Sequence, residues 1–159
     1  QAKTLFPYTT LFRSTEAPTA RDLVQQPLIA EPLVLVHAEL APRKARAAPL
    51  ITIEPTSATW RAIQPQLRAH HPDLLAAPAV PVESFGAVAQ MVRAGFGNGL
   101  LPLGLAFDLN LAPTSYRRLP GVARRIALLT RKTVHELPSF AALRDELMQA
   151  IARHLTWSK

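Results

Sequence analysis

The chain has no cysteine among its 159 residues, so neither a disulfide framework nor a thiolate metal site can be built from it. Long apolar runs are missing too. Apolar runs such as residues 32–36 and 99–103 fall far short of the roughly 18 residues that cross a bilayer. Charged residues make up 18% and aromatics 6%, while hydrophobic residues reach 48% and mean hydropathy is +0.09. That balance excludes a disordered chain, and a chain of this length has room for one domain with a real core. Acidic residues are outnumbered, 11 against 18 Lys and Arg, for a net charge of +7 and a pI near 10.8. The cations are scattered rather than gathered in a block, so the excess reads as an ordinary basic surface.

Catalytic signatures are also lacking. There is no Ser-His-Asp set with an elbow motif and no Walker loop. The glycines at 95, 97 and 99 lack the spacing of a dinucleotide fingerprint. His70 and His71 are adjacent and diverge on a helix, so they read as a solvated helix end rather than a metal pair, and His37, His135 and His154 stand alone. The expectation is a protein that is not an enzyme, with no metal and no cofactor.

Residues 4–14, TLFPYTTLFRS, match at every position the translation of a common sequencing-adapter oligonucleotide. Residues 1–14 are therefore expected to be artefactual and are set aside from fold reasoning. They do not make a signal peptide, because Pro7, Thr9 and Thr10 break the apolar stretch.

From residue 15 to Gln26 the pattern suits a loop or a helix end. Residues 32–37 form a β-branched and Leu run without alternation, the mark of a strand covered on both faces. A Pro, Ala and Arg-rich connection over 39–49 leads to a second strand at 50–53. Trp60, Ile63 and Leu67 then fall at helical spacing, with Ser57 or Thr59 as N-cap. Pro65 predicts a kink or a later start, and Pro72 a stop. A short extended piece at 79–82 precedes a helix opened by Glu83-Ser84, with Phe85, Val88, Ala89 and Val92 on one face and Gly95 as its left-handed terminator. Residues 99–102 read as a turn into a buried strand, 103–107 as one helical turn, and the stretch to Ser115 as loop. Two further strands, 117–119 and 125–130, and a polar loop lead to a closing helix with Phe140, Leu143, Leu147, Ile151 and Leu155 on one face. Strands alternating with helices predict an α/β fold.

Three pieces in order carry a family resemblance: Glu31-Pro-Leu-Val-Leu-Val36, then residues 49–53 with Ser57-Ala-Thr-Trp60 behind them, then Ala94-Gly-Phe-Gly-Asn-Gly-Leu-Leu-Pro102. Together they resemble the effector-binding domain of LysR-type transcriptional regulators over about residues 22–156. Asn98 and Gly99 depart from the apolar and small pair usual there. The resemblance implies a type 2 periplasmic-binding-protein-like fold of two Rossmann-like subdomains, the first one incomplete. Residues 15–38 and 122–157 would be a remnant of the first subdomain and 49–118 the second, in a fragment lacking the helix-turn-helix. The isolated piece is then expected to be poorly stable. It also implies a small-molecule effector held in a cleft, DNA contact only through the missing N-terminal domain, a homo-oligomeric intact protein, a cytoplasmic location and no membrane partner. A solute-binding protein of a transport system is the alternative.

Candidate effector contacts are Thr56, Ser57 and Thr59, whose hydroxyls and backbone N–H groups suit either an anion or simple capping. Val80, Pro81 and Ser84 sit at the second strand-to-helix turn. Phe96 and Asn98 follow the glycine-ended helix, where Gly97 serves backbone geometry.

Overall fold

The computed structural model describes residues 22–38 and 48–156, apart from the side chains of residues 154–156. Segment 4–14 and most of the 39–49 connection lie outside the described residues. The chain divides into two compact units, one of Ala30–Arg124 and one of Gln1–Ile29 with Arg125–Lys159. These boundaries fall at 29/30 and 124/125, whereas the sequence reading set them near 38–49 and 118–122.

Five strands form one mixed sheet in the order β3-β2-β4-β1-β5. They are β1 (Leu23–Val36), β2 (Leu50–Ile53), β3 (Ala79–Val82), β4 (Asn98–Pro102) and β5 (Tyr116–Arg131). β2 runs parallel to β3 and β4, whereas β1 is antiparallel to β4, pairing Leu33 with Pro102 and Val36 with Gly99. β1 is longer than its apolar run suggests. Residues 23–31 include Gln25, Gln26 and Pro27 and read locally as loop, but a neighbouring β5 supplies pairing that overrides propensity. β5 likewise merges the two expected strands. Gly121 at φ +78° lets the chain pass the Pro-Gly step without leaving the sheet.

In the Ala30–Arg124 unit, α1 (Ala58–His70) starts where Ser57 accepts the Trp60 N–H at 3.1 Å. It runs without interruption through Pro65 from Ala58, so the later start does not occur. Buried Trp60, Ile63 and Leu67 hold its apolar face in the core, and that packing outweighs one missing backbone bond. The short α2 (Pro72–Ala76) begins on a proline at its first turn, where the lost N–H has no helical partner to lose. α3 (Phe85–Arg93) is capped by Ser84 and ends as expected on Gly95 at φ +80°. α4 (Leu103–Asp108) follows β4 directly, and a 3-10 turn at Pro113–Ser115 precedes β5.

The core of this unit joins both layers: Leu33, Ile51, Ile63, Leu67, Leu100 and Leu101 are almost fully buried. Gly97 serves it by close approach rather than by a left-handed angle. A Cβ there would stand 2.3 Å from the Pro49 carbonyl oxygen.

In the other unit, the polar loop expected after β5 holds the single turn α5 (Lys132–His135) before α6 (Pro138–Thr156). The Lys132 N–H donates to the Asp22 carbonyl at 2.8 Å. Phe140 is buried and meets the His135 ring at 5.6 Å, but Leu143, expected on the same apolar face, is 55% exposed.

Candidate functional site

The connection from β2 through α1 steps to β3 on one side, and the connection from β3 through α3 steps back across β2 to β4. Parallel crossovers are right-handed, so these opposite steps place α1 and α3 on opposite faces of the sheet. The neighbouring carboxyl ends of β2 and β3 are therefore a topological switch point, the place in an open α/β sheet where a ligand crevice forms. Ile53 and Val82 pair there, and the Glu54 N–H donates to the Val82 carbonyl at 2.9 Å.

Both helices begin at this point. Ser57 caps α1, and the Arg61 N–H takes the first backbone bond, to the Ser57 carbonyl. Ser84 caps α3 by accepting the Ala87 N–H at 3.2 Å, and the Val88 N–H bonds its carbonyl. The N–H groups of Ala58, Thr59, Phe85 and Gly86 precede the first helical bonds and have no acceptor among the described residues. Two positive helix poles thus stand side by side with four open donors, an arrangement that suits an anion.

A charged pair flanks the same end of the sheet. Glu31, 5% exposed, accepts the Gly104 N–H at the start of α4 at 3.0 Å. Its other oxygen takes Nε of Arg124 at 2.7 Å and Nη2 at 2.6 Å. The Arg124 guanidinium also lies 5.2 Å from the centre of the Phe85 ring, the first residue of α3. One cation therefore touches both β1 and the α3 terminus.

Of the residues expected to contact an effector, Thr56, Ser57, Thr59, Pro81 and Ser84 come together at the β2 and β3 carboxyl ends. Thr56 is exposed and its hydroxyl lies 3.5 Å from the Glu54 carboxylate. Pro81 is exposed on β3, whereas Val80, on the alternate face, packs against the core. Phe96 and Asn98 stand at the opposite end, since Asn98 pairs with Leu50, the first residue of β2. The Asn98 amide oxygen accepts the Ala38 N–H at 3.2 Å and so ties β4 to the end of β1, while Phe96 is 61% exposed.

Glu31, Phe85, Gly104 and Arg124 were not foreseen as site residues. One signal pointed at Glu31, an acid bordering an apolar strand run, whereas the half-burial of Arg124 beside exposed Arg125 shows only in the structure. The His70-His71 pair is structural in part. His71 Nε2 meets the Pro120 carbonyl at 2.9 Å, and no cluster of potential metal ligands occurs among the described residues. Among those residues no helix is long and apolar enough to cross a membrane.

Comparison with known proteins places this geometry. Solved structures similar in fold include a mutant OxyR of Corynebacterium glutamicum, with 21% identity and a TM-score of 0.60 over 87% of this chain and 47% of that one. A transcriptional regulator of Vibrio parahaemolyticus gives 13% identity and 0.64 over 92% and 72%. The regulatory domain of Synechocystis PCC6803 CcmR in complex with 2-PG gives 19% and 0.57 over 88% and 72%. The chain thus spans about half the length of the OxyR structure. These likenesses are in fold, that of the type 2 periplasmic-binding-protein-like regulatory domains the sequence led one to expect. No curated protein matches significantly. The model of the LysR substrate binding domain matches residues 11–152, starting inside the adapter-like stretch, and the chain belongs to that family.

Proposed function

We propose that this chain is the small-molecule-sensing domain of a DNA-binding transcriptional regulator, and that its effector is a small anion. The observation that carries the reading is the pair of capped helix N-termini at the switch point of a LysR substrate-binding domain, with the Ala58, Thr59, Phe85 and Gly86 N–H groups open. Thr56 and Thr59 add hydroxyls, Pro81 an apolar edge, and Arg124 a cation held ready by Glu31. A complex of the similar CcmR domain holds 2-PG, a precedent for a small ligand in this fold. Val80 serves packing and Asn98 ties β4 to β1 in this reading, while Phe96 stands exposed at the far end of the sheet.

The domain performs no catalysis and uses no cofactor. In the parent protein, DNA is contacted by an N-terminal helix-turn-helix, the active form is a homo-oligomer, and the protein works in the cytoplasm. An effector acts there by binding two states of the domain with unequal affinity. The rival assignment, an exported solute-binding protein, belongs to a different family from the one matched.

Two experiments test this. Sequencing the genomic locus upstream of the codon for Thr15 should show an open frame encoding a helix-turn-helix; a signal peptide there would overturn the regulator assignment. Thermal denaturation with sulfate, phosphate and short mono- and dicarboxylates should show a saturable rise in melting temperature for at least one anion. A uniform response that follows ionic strength alone would remove the anion site.

A further inference from the structure

A cavity of about 380 Å³ opens within the Ala30–Arg124 unit, between the C-terminal half of α3 and the 109–115 segment. It is distinct from the switch point: it meets α3 at Ala89, Val92 and Arg93 rather than at Phe85, and β1 at Val36, which pairs with Gly99. Its floor is apolar, with Val36, Val92 and Leu101 all 5% exposed or less. Its far wall is fixed by the backbone. The Leu109 N–H donates to Leu105, the Asn110 N–H to Phe107 and the Leu111 N–H to Ala106, all carbonyls of α4. Asn110 closes that turn in the left-handed region at φ +52°. The cavity therefore exists before any ligand arrives, and its volume falls in the range of small-molecule sites, roughly 300–1,000 Å³.

Four polar residues line it, Arg93, His37, Asn110 and Ser115, and the Ser115 hydroxyl is already engaged, donating to the Ala112 carbonyl at 2.7 Å. No acidic residue is among the described residues that line it, and Arg93 forms no ion pair with the described residues. A planar guanidinium beside a preformed apolar floor is a match for a carboxylate joined to a hydrocarbon or ring.

We infer that this cavity is a second small-molecule site, taking an amphipathic monocarboxylate whose acid group pairs with Arg93 and whose apolar part rests on Val36, Val92 and Leu101. This holds whether or not an anion binds at the switch point.

The test uses phenylacetate and 4-methylpentanoate as probes, with phenylacetamide as the neutral counterpart, titrated into the chain by calorimetry or ligand-observed NMR. The expected result is saturable binding of at least one acid, weakened roughly tenfold by Arg93→Gln and to a similar degree in the amide. Ala112→Trp, at the exposed rim, should abolish it. Both variants alter exposed positions, and circular dichroism confirms that they are folded. Saturating sulfate, which probes the switch point, should leave acid binding unchanged. The inference is overturned if neither acid binds the folded chain, if binding survives both substitutions, or if sulfate displaces the acid. Failure of sulfate itself to bind would count only against the switch-point site.

Discussion

Arg124 grips Glu31 from 93 residues away in sequence, presenting Nε and Nη2 to one carboxylate oxygen while the Gly104 N–H takes the other. The side chains are 12% and 6% exposed. Water screens this pair poorly, so the loss of one member leaves an uncompensated charge. Arg124→Met is expected to lower stability by about 3 kcal/mol in urea denaturation, because Glu31 remains buried and charged. Adding Glu31→Gln should recover much of that loss, since Gln carries no charge and still offers Gly104 an acceptor. A cost for Arg124→Met within about 1 kcal/mol, as for an exposed pair, would show that the clasp contributes little.

Gln66 treats β5 as a strand would. Its Nε2 donates to the Ala123 carbonyl at 3.0 Å, and its Oε1 accepts the Ala123 N–H at 3.0 Å. Gln66→Glu keeps the size but sets an oxygen against the Ala123 carbonyl, so it should cost about 1–3 kcal/mol. Gln66→Ala should cost less, because it leaves two unpaired backbone groups without adding a repulsion. Equal stability of the Glu variant and the parent chain would contradict the two-way bond.

The two glycines flanking Asn98 are held by contact. A Cβ at Gly99 would meet Val92 Cγ2 at 2.4 Å and Val88 Cγ1 at 2.7 Å, and one at Gly97 would strike the Pro49 carbonyl oxygen. Gly97→Ala opposes backbone and Gly99→Ala opposes side chains that can turn. The first is therefore expected to be the worse of the two, and Gly99→Ala should cost about 1–3 kcal/mol, as overpacking does. Chemical denaturation of both variants decides the order.

Asn98 should behave as a structural residue. Replacing it with Ala removes the bond to the Ala38 N–H and should cost about 1 kcal/mol. The anion response in thermal denaturation should be the same in Asn98→Ala as in the parent chain. A loss of that response would return Asn98 to the effector site.

Much of this fold could be read from periodicity. β2, β3 and α3 fall where apolar spacing and capping residues put them, because those signals are local. β1 and β5 were read short. Gln25, Gln26 and the Pro120-Gly121 step carry loop and turn chemistry, and only sheet pairing makes them strand. The unbroken α1 has the same cause, since burial of Trp60, Ile63 and Leu67 outweighs Pro65. The site divides in the same way. Thr56, Ser57, Thr59 and Ser84 announce themselves as hydroxyls between a strand and a helix. Asn98 lies at the other end of the sheet from these hydroxyls, because the motif around it shows a turn but not which end the turn occupies. The Glu31 and Arg124 pairing joins residues too distant for any local pattern to connect.

The most direct test of the anion site is a titration of sulfate into 15N-labelled chain, followed amide by amide. The result expected is a saturable shift concentrated on Ala58, Thr59, Phe85 and Gly86, the four donors at the two capped helix starts. Saturable shifts confined to other amides, or no saturable shift at these four, would contradict it.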